Sequence, residues 1–321
     1  MILESQKSMS IHPETPAPTP TLSPDPKYRL GTVLRPFSYS VALAACGLGV
    51  LYALQQGAGS VTLGLLIVCA GVLLQAGVNL INNHADLPLL QGLPAPADAL
   101  EKQRRERNIA AIRWHFHLGI GCFMLAWLIA GFLIWREGWL LLLICVVGFL
   151  GGYFYTAEPI HYKRRGLGVL LSFVFMGVLM IGGSALAMGA PWTLTLLWLS
   201  LPFSLLTALL LLANELRDVE DDRQHQLRTL TVRIGETHAK RLYIAILVAV
   251  YLSTVGLWWA GLLVWPWLLA LSLPLVTSPL VILRRDLQAR QALPPATGQL
   301  FIVFAFLFLL SYSGGFFMSA T

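Results

Sequence analysis

Residues 201–222 read LPFSLLTALLLLANELRDVEDD. The first thirteen positions, through Ala213, carry no charge, and the next nine carry Glu215, Asp218, Glu220, Asp221 and Asp222. With the apolar residues that precede it from 192, the run has the length that crosses a bilayer, about 20 residues. Its end is not a lone interfacial anchor but a cluster of carboxylates. Whatever that cluster does, it does where a crossing meets water.

The same kind of run recurs along the chain. The sequence is 56% hydrophobic and 12% charged, against about 25% charged in soluble domains, which excludes a soluble globular fold. Nine apolar runs stand out, over 37–56, 61–81, 114–135, 139–157, 167–189, 192–213, 242–261, 263–283 and 299–319. The predicted fold class is an all-α integral membrane protein of about nine transmembrane helices. Two domains are expected, a disordered tail over 1–27, rich in Pro, Ser and Thr, and a transmembrane domain over 28–321. The tail lacks the apolar segment of a signal peptide and the apolar content needed to fold. Cys46, Cys69, Cys122 and Cys145 all fall inside apolar runs without metal or redox spacing, so they read as small packing residues.

Charge sets the orientation. With nine crossings, 21 of the 22 Lys and Arg fall on one side and Arg136 alone on the other. The positive-inside rule places that basic side, and the N-terminus, in the cytoplasm. The net charge of +6 is therefore topological, with attraction to anionic lipid or an anionic substrate, and nothing points to nucleic acid.

Two polar clusters lie on that side. GVNLINNHADLP (77–88) ends the second run and places Asn82 and Asp86 four residues apart, on one helical face. ANELRDVEDD (213–222) ends the sixth and repeats the spacing through Asn214, Asp218 and Asp222. Carboxylates stacked one turn apart repel each other unless a cation lies between them. Oxygen-only donors suit a hard ion, and Mg²⁺ is commonly held by one or two carboxylates together with substrate phosphates. A Mg²⁺–diphosphate pair would use both clusters and the surrounding arginines. The plainer alternative is a solvated helix end with ordinary Asp–Arg pairs. Between the fourth and fifth runs lies YTAEPIHYKRRGLG (155–168), whose Lys163, Arg164 and Arg165 read either as a topological anchor or as a basic lid over a leaving diphosphate.

These motifs together resemble the UbiA superfamily of intramembrane prenyltransferases, most closely its MenA-like branch, which prenylates 1,4-dihydroxy-2-naphthoate. NELRDVEDDRQHQLRTLTVRIG (214–235) is similar to the branch's second aspartate motif, and YTAEPIHYKRRGLG to its Y-T-x-x-P…R-G-L-G loop. LRPFSYSVALAACGLGVLYA (34–53) resembles the family's opening segment. The resemblance implies a UbiA-like bundle around a central chamber open to the cytoplasmic side of a bacterial inner membrane. It implies Mg²⁺-dependent transfer of a prenyl group from its diphosphate to an aromatic acceptor of the naphthoate type, as in menaquinone biosynthesis. Asp86, Asp218 and Asp222 would be the catalytic acids and, with Asn82, the metal ligands. Asn82, Asn214, Tyr155, Lys163, Arg165, Arg217, Arg223 and Arg228 would bind the diphosphate. The chain departs from the pattern at Asn83 and Leu90, where the first motif carries Asp, leaving Asp86 as its only carboxylate. It departs again at Leu227 and Val169, which replace a usual basic and a usual acidic residue.

Other readings stay open on the sequence. The reduced first motif suits a UbiA-like terpene cyclase or a specialised-metabolite prenyltransferase. A transporter or lipid-binding protein would use the acids as a cation site, although charges at membrane depth are usual there and here they cluster at run ends. Glu158 is a candidate acceptor-side base, and His115 and His117 are metal ligands or, more simply, interfacial residues beside Trp114.

Overall fold

The structure is a computed structural model that describes residues 23–155 and 158–319. Among those residues every regular element is helical. We number the long helices α1 (Pro36–Gln55), α2 (Val61–Asn82), α3 (Ala99–Glu137), α4 (Trp139–Tyr153) and α5 (Gly168–Ala187). They continue with α6 (Leu194–Arg217), α7 (Glu236–Trp259), α8 (Pro266–Arg284) and α9 (Leu293–Ser319). Helices are what lipid demands, because only they pair every backbone N–H and C=O within one segment.

Among the described residues each of the nine apolar runs is largely helical, and eight of these helices are long and apolar enough to cross a membrane. The exception is α4, with 15 residues. At 1.5 Å per residue it is about 22 Å long, short of the roughly 30 Å of hydrocarbon. The expected run to 157 ends early at Tyr153, and residues 156 and 157 lie outside the described ones.

In the other direction, α3 begins fifteen residues before the expected 114 and is 39 residues long. A cap explains its start. Asp98 Oδ1 accepts from Glu101 N at 2.6 Å while Glu101 Oε2 accepts from Ala97 N at 2.7 Å, a reciprocal pair that closes orphan donors. Ser60 caps α2 through Leu63 N and Thr193 caps α6 through Leu196 N, both at 3.2 Å.

Most of the expected tail, 1–22, lies outside the described residues. Its last five residues belong to the fold: Asp25 N donates to Asn108 Oδ1 at 3.0 Å, and Asp25 Oδ1 pairs with Arg104 Nε at 2.6 Å. Tyr28, one position on, is buried with Leu87 and Ile112.

The core is built around α6. In its most apolar stretch 67% is buried within the protein, against 17% for α3, so α6 is central and α3 faces lipid. Phe203 of α6 meets Phe308 of α9 edge-on at 5.0 Å. The polar residues of α6 are satisfied locally: Ser204 Oγ donates to Ser200 O and Thr207 Oγ1 to Ser204 O, both at 2.8 Å. Gly177 lies in a π-helical stretch of α5, Phe173–Leu179, directly against Ser204, and a Cβ there would collide with the Ser204 backbone. Such small-residue contacts let membrane helices approach closely. The central position of α6 fixes where its acidic end lies.

Candidate active site

Helix α6 runs to Arg217, and after a break at Asp218 a short helix, Val219–Gln224, continues. Val219 is fully buried and anchors that second piece. The break separates five carboxylates into two groups. Glu220 pairs with Arg223 at 2.6 Å and Asp221 with His225 at 3.4 Å, all largely exposed. Glu215 and Asp222 instead are 4% exposed. Asp218 lies between them in burial and is gripped by its neighbour: Arg217 Nε and Nη2 donate to its two oxygens at 2.6 and 2.7 Å.

The buried pair is organised by the segment that follows. Thr229 Oγ1 donates to Asp222 Oδ2 at 3.1 Å, and Thr231 N donates to Glu215 Oε2 at 3.0 Å. Glu215 Oε1 and Thr231 Oγ1 are buried without a hydrogen-bond partner among the described residues. Asn214 Nδ2 donates back to Leu210 O at 3.0 Å.

The loop after α4 folds over this end. Tyr155 and Tyr162 meet edge-to-face at 5.2 Å, and Arg233 Nη2 reaches Arg164 O at 3.4 Å. Gly166, at φ 72°, lies against the Arg233 side chain in a turn that other residues adopt with strain. Burial, then the charge of Glu215 and more weakly of Asp222 and Asp218, raises the Tyr155 pKa well above the usual phenol range. Burial pushes Tyr162 up to about 12. The Asp222 carboxyl is also held above the ordinary range, chiefly by burial, with the Lys163 charge and the Thr229 hydrogen bond opposing. Tyr155, Lys163, Glu215, Asp218 and Asp222 thus share one electrostatic neighbourhood.

Not every expected residue joins it. Arg165 Nη2 is used within the loop, on Pro159 O at 2.9 Å. Glu158 is exposed and pairs with Arg164 and His161 at 3.5 Å, away from the acids. Arg223 and Arg228 are exposed. His115 is buried and His117 exposed, and neither belongs to a metal-binding group among the described residues.

The first cluster is built differently. Asn79 Nδ2 donates to Leu34 O and Ser38 Oγ, both at 2.7 Å, which ties α2 to the start of α1. Asn82, with its amide oxygen turned to Arg35, accepts from Nη2 at 2.7 Å. Asp86 lies in a 3-10 turn, Asn83–Asp86, where Lys27 Nζ approaches its Oδ2 to 2.7 Å and Tyr28 Oη donates to the same oxygen at 3.2 Å. Among the described residues no three of His, Cys, Asp and Glu stand close enough to hold an ion together. Asp86 is paired with Lys27 and Tyr28, and Asp218 with Arg217.

Sequence reasoning gives no role to Glu215, Thr229, Lys27 or Tyr28. For Glu215 a signal exists: it falls three residues after Leu212, on the face of α6 that is fully buried. Lys27 and Tyr28 reach Asp86 across 58 or more positions, and no local pattern announces that contact.

Known proteins carry the same architecture. The profile of the UbiA prenyltransferase family matches residues 40–305. The 1,4-dihydroxy-2-naphthoate octaprenyltransferase of Bacillus subtilis (strain 168) is 25% identical over 251 residues, covering 77% of this chain and 80% of that one. The protein of the same name from Mycobacterium leprae (strain TN) is 35% identical over 107 residues, 33% of this chain and 36% of that one. A UbiA homologue from Archaeoglobus fulgidus, solved bound to GPP and Mg²⁺, superposes with a TM-score of 0.54 at 16% identity, over 88% of this chain and 99% of that one.

Proposed function

The chain belongs to the UbiA prenyltransferase family and is a prenyltransferase, and from that premise we propose that it transfers a polyprenyl group from its diphosphate to a naphthoate-type aromatic acceptor. The reaction takes place at the basic end of the bundle, facing the cytoplasm of a bacterial inner membrane. The acceptor class rests on the name carried by the B. subtilis and M. leprae relatives. The observation that carries the chemistry is the buried Asp222, four residues after Asp218 and with a single hydroxyl donor, Thr229, on its carboxylate.

A Mg²⁺ ion suits these residues in kind and number. The ion takes oxygen donors, and one or two carboxylates suffice when phosphate oxygens supply the rest. Asp218 and Asp222 would hold it, with Asn214 beside them, and Asp86 with Asn82 would approach from the first cluster. When bound, it supplies Lewis-acid neutralisation of the leaving diphosphate.

The chain's own residues do the remainder. Arg217, once released from Asp218, and Lys163 offer cationic donors to the oxygens on which charge develops. Tyr155, whose phenol holds its proton at neutral pH and more firmly still with its pKa raised, is available as a hydrogen-bond donor. As the allylic carbon–oxygen bond breaks, diphosphate leaves with the electron pair and a π pair of the aromatic ring forms the new carbon–carbon bond. The ring regains aromaticity by releasing the proton, or the carboxyl group as CO₂, that the attacked carbon carried. The apolar helices exclude water, which would otherwise capture the cationic prenyl group.

The test is Mg²⁺-dependent pyrophosphate release from prenyl diphosphates by the purified protein, with and without dihydroxynaphthoate. Release that requires the aromatic acceptor is the expected result. Release without any acceptor would make the protein a cyclase or hydrolase, and no release with any acceptor would remove the proposal.

A further inference from the structure

On the outer side of the bundle an apolar furrow of about 300 Å³ runs between α7 and α8. Leu247 and Tyr251 form part of its lining and are the less exposed part of it. Along α7 its wall is Ile244, Val248, Leu252 and Val255, all exposed. Counting back three residues from Ile244 on the same helical face reaches Arg241, also exposed. Along α8 the wall is Leu273, Val276 and Leu280, and one turn further lies Arg284, exposed as well. The two helices are antiparallel, so both stripes finish in a guanidinium at the same, basic end of the furrow.

The neighbouring charges do not account for this pair. Lys240 is held by Glu236 at 2.9 Å, and Glu236 is held in turn by the buried Arg290 at 2.7 Å. Asp286, the nearest acid in sequence to Arg284, caps Ala289 N at 3.0 Å. Helix side chains tend to lean toward the N-terminus, which for Arg284 is the direction of Leu280 and the furrow and for Arg241 the direction away from it. Both walls of the furrow thus end in a cation on the side where a lipid phosphate would lie.

Length agrees with charge. Ile244 to Val255 is eleven steps of 1.5 Å, about 16 Å, or one half of a hydrocarbon core of roughly 30 Å. The furrow therefore matches a single leaflet. We infer that it is a binding site for one anionic phospholipid of the inner leaflet, its acyl chain between α7 and α8 and its phosphate between Arg241 and Arg284.

Native mass spectrometry of the full chain, offered phosphatidylglycerol and phosphatidylcholine in equal amounts, tests this. The wild-type protein retains phosphatidylglycerol in preference. The double variant Arg241→Gln/Arg284→Gln lowers that preference roughly 10- to 30-fold, the weight of two interfacial cations. Val248→Trp, which fills the furrow and leaves both guanidiniums, lowers phosphatidylglycerol retention without touching charge. The control pair Lys102→Gln/Arg113→Gln, exposed on α3 rather than on α7 or α8, leaves the preference in place. An equal fall in that control would reduce the effect to general surface charge and overturn the site. So would an unchanged preference in the double variant, or displacement of the retained lipid by an added prenyl diphosphate, which would give the furrow to the substrate.

Discussion

The two Asn-x-x-x-Asp segments share a spacing and an end of the bundle, yet they present their acids in opposite states. Asp86 closes the first segment in an ion pair with Lys27, at 22% side-chain exposure, with a phenol donor added. Asp222 closes the second at 4% exposure with one hydroxyl donor, at a cost that raises its pKa. A spacing of four dictates a shared helical face. It does not dictate what the rest of the chain brings to that face. The first segment meets the approach to α1, whereas the second is pressed inward by the central helix, so the second has the greater need of a cation.

Asp222→Asn is the sharpest way to test that contrast. Turnover should fall about 10²- to 10³-fold or more, measured as pyrophosphate release, while thermal stability holds or rises. The sign follows from linkage: a carboxyl whose folded pKa lies above its unfolded one binds its proton more tightly in the folded state. Its contribution to stability is therefore present at low pH and lost as pH rises through the raised value. A neutral amide removes that loss. The wild-type protein should also lose activity on acidification at a higher pH than an ordinary carboxylate would dictate.

Asp86→Asn should cost less, about tenfold in turnover, since Lys27 at 63% exposure is left in water rather than stranded. A loss as deep as that of Asp222→Asn would break the contrast and make the two acids equals.

Lys163→Gln should raise KM for the prenyl diphosphate by about tenfold, the worth of one charge-assisted contact. Arg165→Gln should change it less than about twofold, because that guanidinium is engaged by Pro159 O. Steady-state kinetics on the pair separate a diphosphate contact from a merely basic loop. The smallest kinetic effect belongs to Glu215→Gln, which keeps an acceptor for Thr231 N. By contrast, Glu215→Leu should destabilise by about 1–3 kcal/mol in a melting experiment by orphaning that N–H.

The bundle is legible because burial in lipid leaves few choices: an apolar run of sufficient length must be helical. Legibility failed at boundaries set by local capping. Asp98 and Glu101 start α3 well before its apolar part, in a stretch whose Arg and Lys suggested a loop. It failed again wherever function depends on contacts remote in sequence. The Lys27–Asp86 pair joins a Pro-rich approach to a helix end, and Thr229 reaches back seven residues to Asp222 across the turn after the Val219–Gln224 helix, which hydropathy does not reveal. The acids were found from spacing, and their unequal burial required the packing of α6.

The short α4 has a consequence for the membrane itself. It returns the chain from the far end of α3 to the loop over the acids, yet it is about 8 Å shorter than a hydrocarbon core of roughly 30 Å. A bilayer meets such a deficit by thinning, at a fraction of a kcal/mol per Å. Thinning beside α4 would bring headgroups toward the loop that follows it, and an acceptor arriving from water, as the proposed reaction requires, would have a shorter descent on this flank.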